Sequence, residues 1–130
     1  MQGETRVDAD LAAIAPARHW AGERFERAGL VPQARELLAI LVSELVTNAV
    51  RHAAPPVVLR IDVDDERTRV EVEDHAPQLP VLTEPPPSAL GGRGVKIVDM
   101  LSTAWGAVPH RGEPGKTVWF ELAHPAPLGV

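Results

Sequence analysis

The stretch ELLAILVSELVTNAVRH, residues 36–52, constrains this chain more than any other. Leu38, Leu41, Val42, Leu45, Val46 and Ala49 recur at helical spacing, which predicts a helix with a wide apolar stripe against a core. Glu44, Asn48 and His52 stand four residues apart and share one side of that helix, at the edge of the stripe. Leu37 and Ile40 fall on the same side. A purely solvated face does not usually carry two such residues, so Glu44 and Asn48 are expected to look into a partly enclosed site. The bland alternative is a surface glutamate and asparagine on an amphipathic helix.

At 130 residues the chain is expected to form one domain with a core of its own. A net charge of −5 and the lack of a dense basic cluster argue against a nucleic-acid binder. Without cysteine there is neither a disulfide framework nor a thiolate metal site. The opening MQGETRVDAD lacks the basic-then-apolar start of a signal peptide, and no apolar run approaches the roughly 20 residues that span a bilayer. A cytoplasmic location without membrane contact is the expectation. Of the 13 prolines, nine cluster at 55–56, 77–87 and 125–127, outside the periodic segments, and mark loops and a tail.

In chain order, 5–9 alternates weakly as a short edge strand. Pro16 is tolerated in a first helical turn, and 17–28 reads as a helix that Gly29 stops. The central helix ends before Pro55-Pro56. Residues 57–63 and 68–74 alternate as an antiparallel hairpin across the polar turn 64–67, with Leu59, Ile61, Val63, Val70 and Val72 inward. Asp74 shares the parity of Val70 and Val72. A carboxylate on the apolar side needs hydrogen-bond donors, so Asp74 is either an acceptor for a ligand amine or a turn-starting aspartate that binds its own backbone. Residues 75–90 have no sustained period and read as a lid or a disordered segment. Gly91, Gly92 and Gly94 then lead into a helix marked by Val95, Ile97, Val98 and Leu101, a backbone arrangement suited to phosphate. Strands at 105–108 and 117–122 follow, and 124–130 is expected to be a disordered tail after a domain spanning 1–123.

Gly115-Lys116-Thr117 is not a P-loop, because His110 stands where that motif needs glycine and a strand follows where it needs a helix. The five histidines show no paired metal spacing, and Ser43 and Ser102 lack the surroundings of a nucleophile elbow. What remains is an ordered set that resembles the GHKL superfamily of ATP-binding domains, and most closely the single-domain anti-sigma-factor serine kinases and their actinobacterial relatives. SELVTNAVRHA (43–53) is similar to their N box, VEVEDHAPQLP (70–80) to their first glycine box, GGRGVKIVDMLS (91–102) to their second, and GKTVWFEL (115–122) to their closing strand.

The resemblance implies an α+β Bergerat fold, a two-layer sandwich of a mixed, mostly antiparallel sheet with helices on one face. It implies ATP and Mg²⁺, with Asn48 on the metal, Asp74 accepting from the adenine amino group, and the amides around Gly92, Gly94 and Val95 on the phosphates. His52, Ala76, Leu79 and Lys116 occupy further nucleotide-contact positions, and Glu44 matches the general base of the kinases. The implied function is an ATP-dependent regulator of the anti-sigma-factor type, a protein serine/threonine kinase that phosphorylates an antagonist protein, sequesters a sigma factor, or does both, and that forms a homodimer as relatives often do. The alternative is a catalytically silent, nucleotide-gated interaction module. Two positions depart from the pattern. Ala76 replaces the usual glycine of Asp-x-Gly, and Lys116 replaces a threonine that faces adenine. A lysine at that pocket mouth either touches phosphate or is solvated, and both readings stay open here.

Overall fold

The computed structural model describes residues 1–51, 55–75 and 101–124. Strands β1 (Gln2–Val7), β2 (Val57–Val63), β3 (Arg67–Asp74), β4 (Ala104–Pro109) and β5 (Lys116–Ala123) form one open sheet in the order β1-β2-β3-β5-β4. Helices α1 (Ile14–Arg27) and α2 (Pro32–Arg51) pack against it, and a single 3₁₀ turn, Leu11–Ala13, leads into α1. Every pairing among the described strands is antiparallel.

Alternation decides the layering. Leu59, Ile61 and Val63 on β2, Val70 and Val72 on β3, and Val118, Phe120 and Leu122 on β5 are buried on the face that meets Phe25, Leu38, Leu41, Val42 and Val46 of the helices. The opposite face carries Arg60, Arg69, Glu71, Glu73 and Glu121. There Arg69 donates to Glu71 Oε2 at 2.9 Å and Glu121 Oε1 at 2.8 Å while lying 4.3 Å over the Trp119 ring. A polar residue is also buried on the inner face. Thr68 is satisfied by the ring nitrogen of His124 at 2.6 Å, so the first residue of the expected tail is held to the sheet, and 125–130 lie outside the described residues.

The elements begin earlier than the sequence pattern indicates. The edge strand runs over Gln2–Val7 rather than 5–9, because its pairing with β2 is set by backbone bonds that need no alternation of side chains. α1 starts at Ile14, which leaves Pro16 within the first turn, where an amide would have no intrahelical partner. It ends as expected at Gly29, whose φ of 81° closes the last turn. α2 starts at Pro32, four residues ahead of the stretch 36–52, with proline at the first helical position. The β2–β3 hairpin is turned by Asp64, whose Oδ1 accepts from the amides of Glu66 and Arg67, both at 2.8 Å. Those amides, Arg67 first, hold the Asp64 carboxyl below the usual carboxylate range. Of the helix read over 95–101, only Leu101 is described, and it is helical.

Phe120 is fully buried at the centre of the sheet's inner face. Phe120→Ala is expected to lower the unfolding free energy by about 3–5 kcal/mol in urea denaturation. A loss of less than about 1 kcal/mol would show that this ring does not anchor the core.

Candidate functional site

The register places one end of the sheet. Val58 pairs with Glu73, Asp74 with Lys116, and Pro109 with Lys116. The start of β2, the end of β3, the start of β5 and the end of β4 therefore meet there. α2 ends at Arg51, a short connection before β2 opens, so its last turns carrying Glu44 and Asn48 are delivered toward that same end. α2 packs on β2, β3 and β5.

Asn48 is 8% exposed, so its amide is turned inward from the helix. Glu44, one turn earlier, is half-buried. Burial pushes its carboxyl above the usual glutamate range, and the charge of Arg51 partly opposes the shift. Leu37 on the same side packs against the core, whereas Ile40 is 46% exposed. The enclosure expected for this side of the helix thus holds for Leu37, Glu44 and Asn48, and fades at Ile40. Arg18 of α1 is exposed, with Nη1 donating to Ser43 Oγ at 3.5 Å.

Asp74 is 1% exposed, the inward carboxylate that parity predicts. It ends β3, and Lys116 Nζ donates to its Oδ1 at 3.0 Å. Lys116 is itself 1% exposed, which excludes the solvated reading of this lysine. Its side chain points inward with Val118 and Phe120, as period-two alternation requires, and it would be an uncompensated buried cation without the carboxylate opposite.

Sequence reasoning missed Gly115. Its φ is 129°, and a Cβ there would sit 2.6 Å from the Asp74 carbonyl oxygen and 2.8 Å from His110 Nδ1. Only glycine lets the two backbones approach this closely at the point where β5 begins. The signal was available in the GKT triplet, whose glycine serves a tight turn rather than a phosphate loop. His110, across the same turn, is hydrogen-bonded through Nε2 to Thr117 Oγ1 at 3.1 Å. His52, Ala76, Leu79, Gly92, Gly94 and Val95 lie outside the described residues. Among the described residues no cluster of three or more His, Cys, Asp or Glu is arranged to hold a metal by itself, and no helix is long and apolar enough to cross a membrane.

An open antiparallel sheet covered on one face by two helices is an α+β architecture consistent with an ATPase domain of the histidine kinase type. The family model of the histidine kinase-like ATPase domain matches residues 7–122, and the chain belongs to this GHKL family. Among solved structures, the crystal structure of the RsbU and RsbW domains of Rv1364c from Mycobacterium tuberculosis matches with a TM-score of 0.72 at 19% identity. The match covers 97% of this chain and 34% of that one, so the chain spans about a third of its length, and the likeness is one of fold. No curated protein matches the sequence.

The raised Glu44 carboxyl has a stability consequence of definite sign. A carboxyl that binds its proton more tightly folded than unfolded adds stability below the ordinary glutamate range and loses it as pH rises through the folded value. Glu44→Gln should therefore gain stability on the parent as pH is raised from about 4 to about 7, in urea titrations at the two values. A difference between the two proteins that does not change with pH would contradict the desolvated state of Glu44.

Proposed function

We propose that this domain binds ATP with Mg²⁺ and transfers the γ-phosphoryl group to a serine of a partner protein, as a cytoplasmic regulator of the anti-sigma-factor type. The single observation that carries this reading is the pairing, on one side of α2, of a desolvated Glu44 carboxyl with an inward Asn48 one turn later. The partners that fit are a sigma factor, an antagonist protein bearing the serine, and a second copy of this chain.

The donor chemistry suits the metal. The Asn48 amide oxygen is a hard, neutral ligand, and Mg²⁺ commonly takes one or two protein oxygens and completes its shell with phosphate and water. When bound, the ion would neutralise charge on the β- and γ-phosphates. The chain's own residues do the rest. Glu44 accepts the serine proton as the hydroxyl oxygen bonds to the γ-phosphorus, and the bond from that phosphorus to the bridging oxygen breaks to release ADP. A carboxylate whose proton affinity is raised by burial is a stronger base than a solvated one. Asp74 receives the adenine amino group. Gly92, Gly94 and Val95 offer amides to the phosphates, and His52, Ala76, Leu79 and Lys116 complete the nucleotide contacts.

Calorimetry with Mg-ATP or Mg-ADP tests the binding step, and Asn48→Ala should weaken affinity by about tenfold or more. Single-turnover transfer of the γ-phosphate to a co-purified partner tests the chemistry, where Glu44→Gln should slow transfer by about a hundredfold or more while nucleotide affinity stays near that of the parent. Binding without transfer would reassign the domain to a silent nucleotide-gated interaction module. No heat with Mg-ATP at millimolar concentration would remove both readings.

A further inference from the structure

Lys116 takes no part in the proposed transfer step itself, and it is placed with unusual firmness. Its Cα partner across the ladder is Asp74, its ammonium lies 3.0 Å from Asp74 Oδ1, and both side chains are 1% exposed. Turning the lysine outward would require a one-residue slip of β5 that would also expose Val118, Phe120 and Leu122. The close approach at Gly115, whose absent Cβ would lie 2.6 Å from the Asp74 carbonyl oxygen, fixes the same register. Asp74 therefore meets an incoming base as half of an ion pair.

We infer that Lys116 sets the base preference of the site, by making Asp74 and Lys116 an acceptor–donor pair that admits guanine nucleotides as well as adenine nucleotides. This rests on the reading of Asp74 as the base-recognising residue. The two purines differ at the six position, where adenine carries an amino donor and guanine a carbonyl acceptor. A carboxylate that faces the six position alone can only accept there, so it offers the carbonyl at that position no donor. An ammonium has three donors, and one of them is given to Asp74 Oδ1. A six-position carbonyl then finds a donor on Lys116, and the N1–H of guanine finds an acceptor on Asp74. A six-position amine finds Asp74 directly. The pair offers a donor and an acceptor at the six position, whereas the carboxylate alone would offer only an acceptor there.

The test is calorimetry of the full chain with Mg-ADP, Mg-GDP and Mg-IDP, the last carrying guanine's carbonyl without its 2-amino group. For the natural sequence the three affinities should agree within about threefold, and Lys116→Thr should bind ADP at least about tenfold more tightly than GDP or IDP. A natural sequence that already prefers ADP about tenfold or more overturns the inference without any variant, so it stays falsifiable should Lys116→Thr fold poorly. Equal affinities that persist in a folded Lys116→Thr overturn it as well, because the lysine is then not their cause. Failure of all three nucleotides to bind overturns the nucleotide-site reading itself, an outcome distinct from adenine selectivity.

Discussion

A lysine and an aspartate face each other across β3 and β5 with almost no contact with water, and this end of the sheet, where the candidate site is read, is built around that pair. The buried ammonium of Lys116 would be costly without a compensating charge, and the Asp74 carboxylate supplies it at 3.0 Å. The geometry that brings them to 3.0 Å depends on the β3–β5 register and on a glycine at 115, where any side chain would strike the Asp74 backbone. The inner face of β5 thus passes from apolar packing at Leu122, Phe120 and Val118 to ionic packing at Lys116 within one unbroken alternation. Core and site are two ends of a single strand.

α2 makes the same transition on a helical period. Leu38, Leu41, Val42, Leu45 and Val46 hold the helix to the sheet, and the flank of that stripe carries Glu44 and Asn48. Their partial burial follows directly from their closeness to the stripe. For Glu44 that burial is a cost, since it disfavours the charged carboxylate, and it is also what makes the carboxylate a better proton acceptor. Stability and the proposed chemistry pull in opposite directions at this one residue, as expected where a site is assembled on the edge of a core.

The parts of the fold that repeat were legible in the sequence. The α2 stripe, the β2–β3 hairpin and the closing strand announce themselves because each buries one face at a fixed period. The inward placement of Asp74 was legible for the same reason, since it shares parity with Val70 and Val72. The partner of Asp74 was not. Lys116 lies 42 residues away, and parity placed it on the inner face without revealing how tightly the strands close there or that a carboxylate stands opposite. Asp64 illustrates the contrast, because its two hydrogen bonds are made within three residues and are implied by the turn itself. The early starts of β1, α1 and α2 were hidden because backbone pairing and a first helical turn leave no mark on side-chain periodicity.

The claim that Asp74 and Lys116 act as one unit is tested most directly by a double-mutant cycle in urea denaturation. Asp74→Asn and Lys116→Met should each lower stability by about 3–5 kcal/mol, because each breaks a buried ion pair by removing one of its charges. The double variant should lose far less than the sum, with a coupling of at least about 2 kcal/mol between the sites. Losses that simply add, with a coupling below about 0.5 kcal/mol, would mean that the two groups are independently solvated and that the account of this site is wrong.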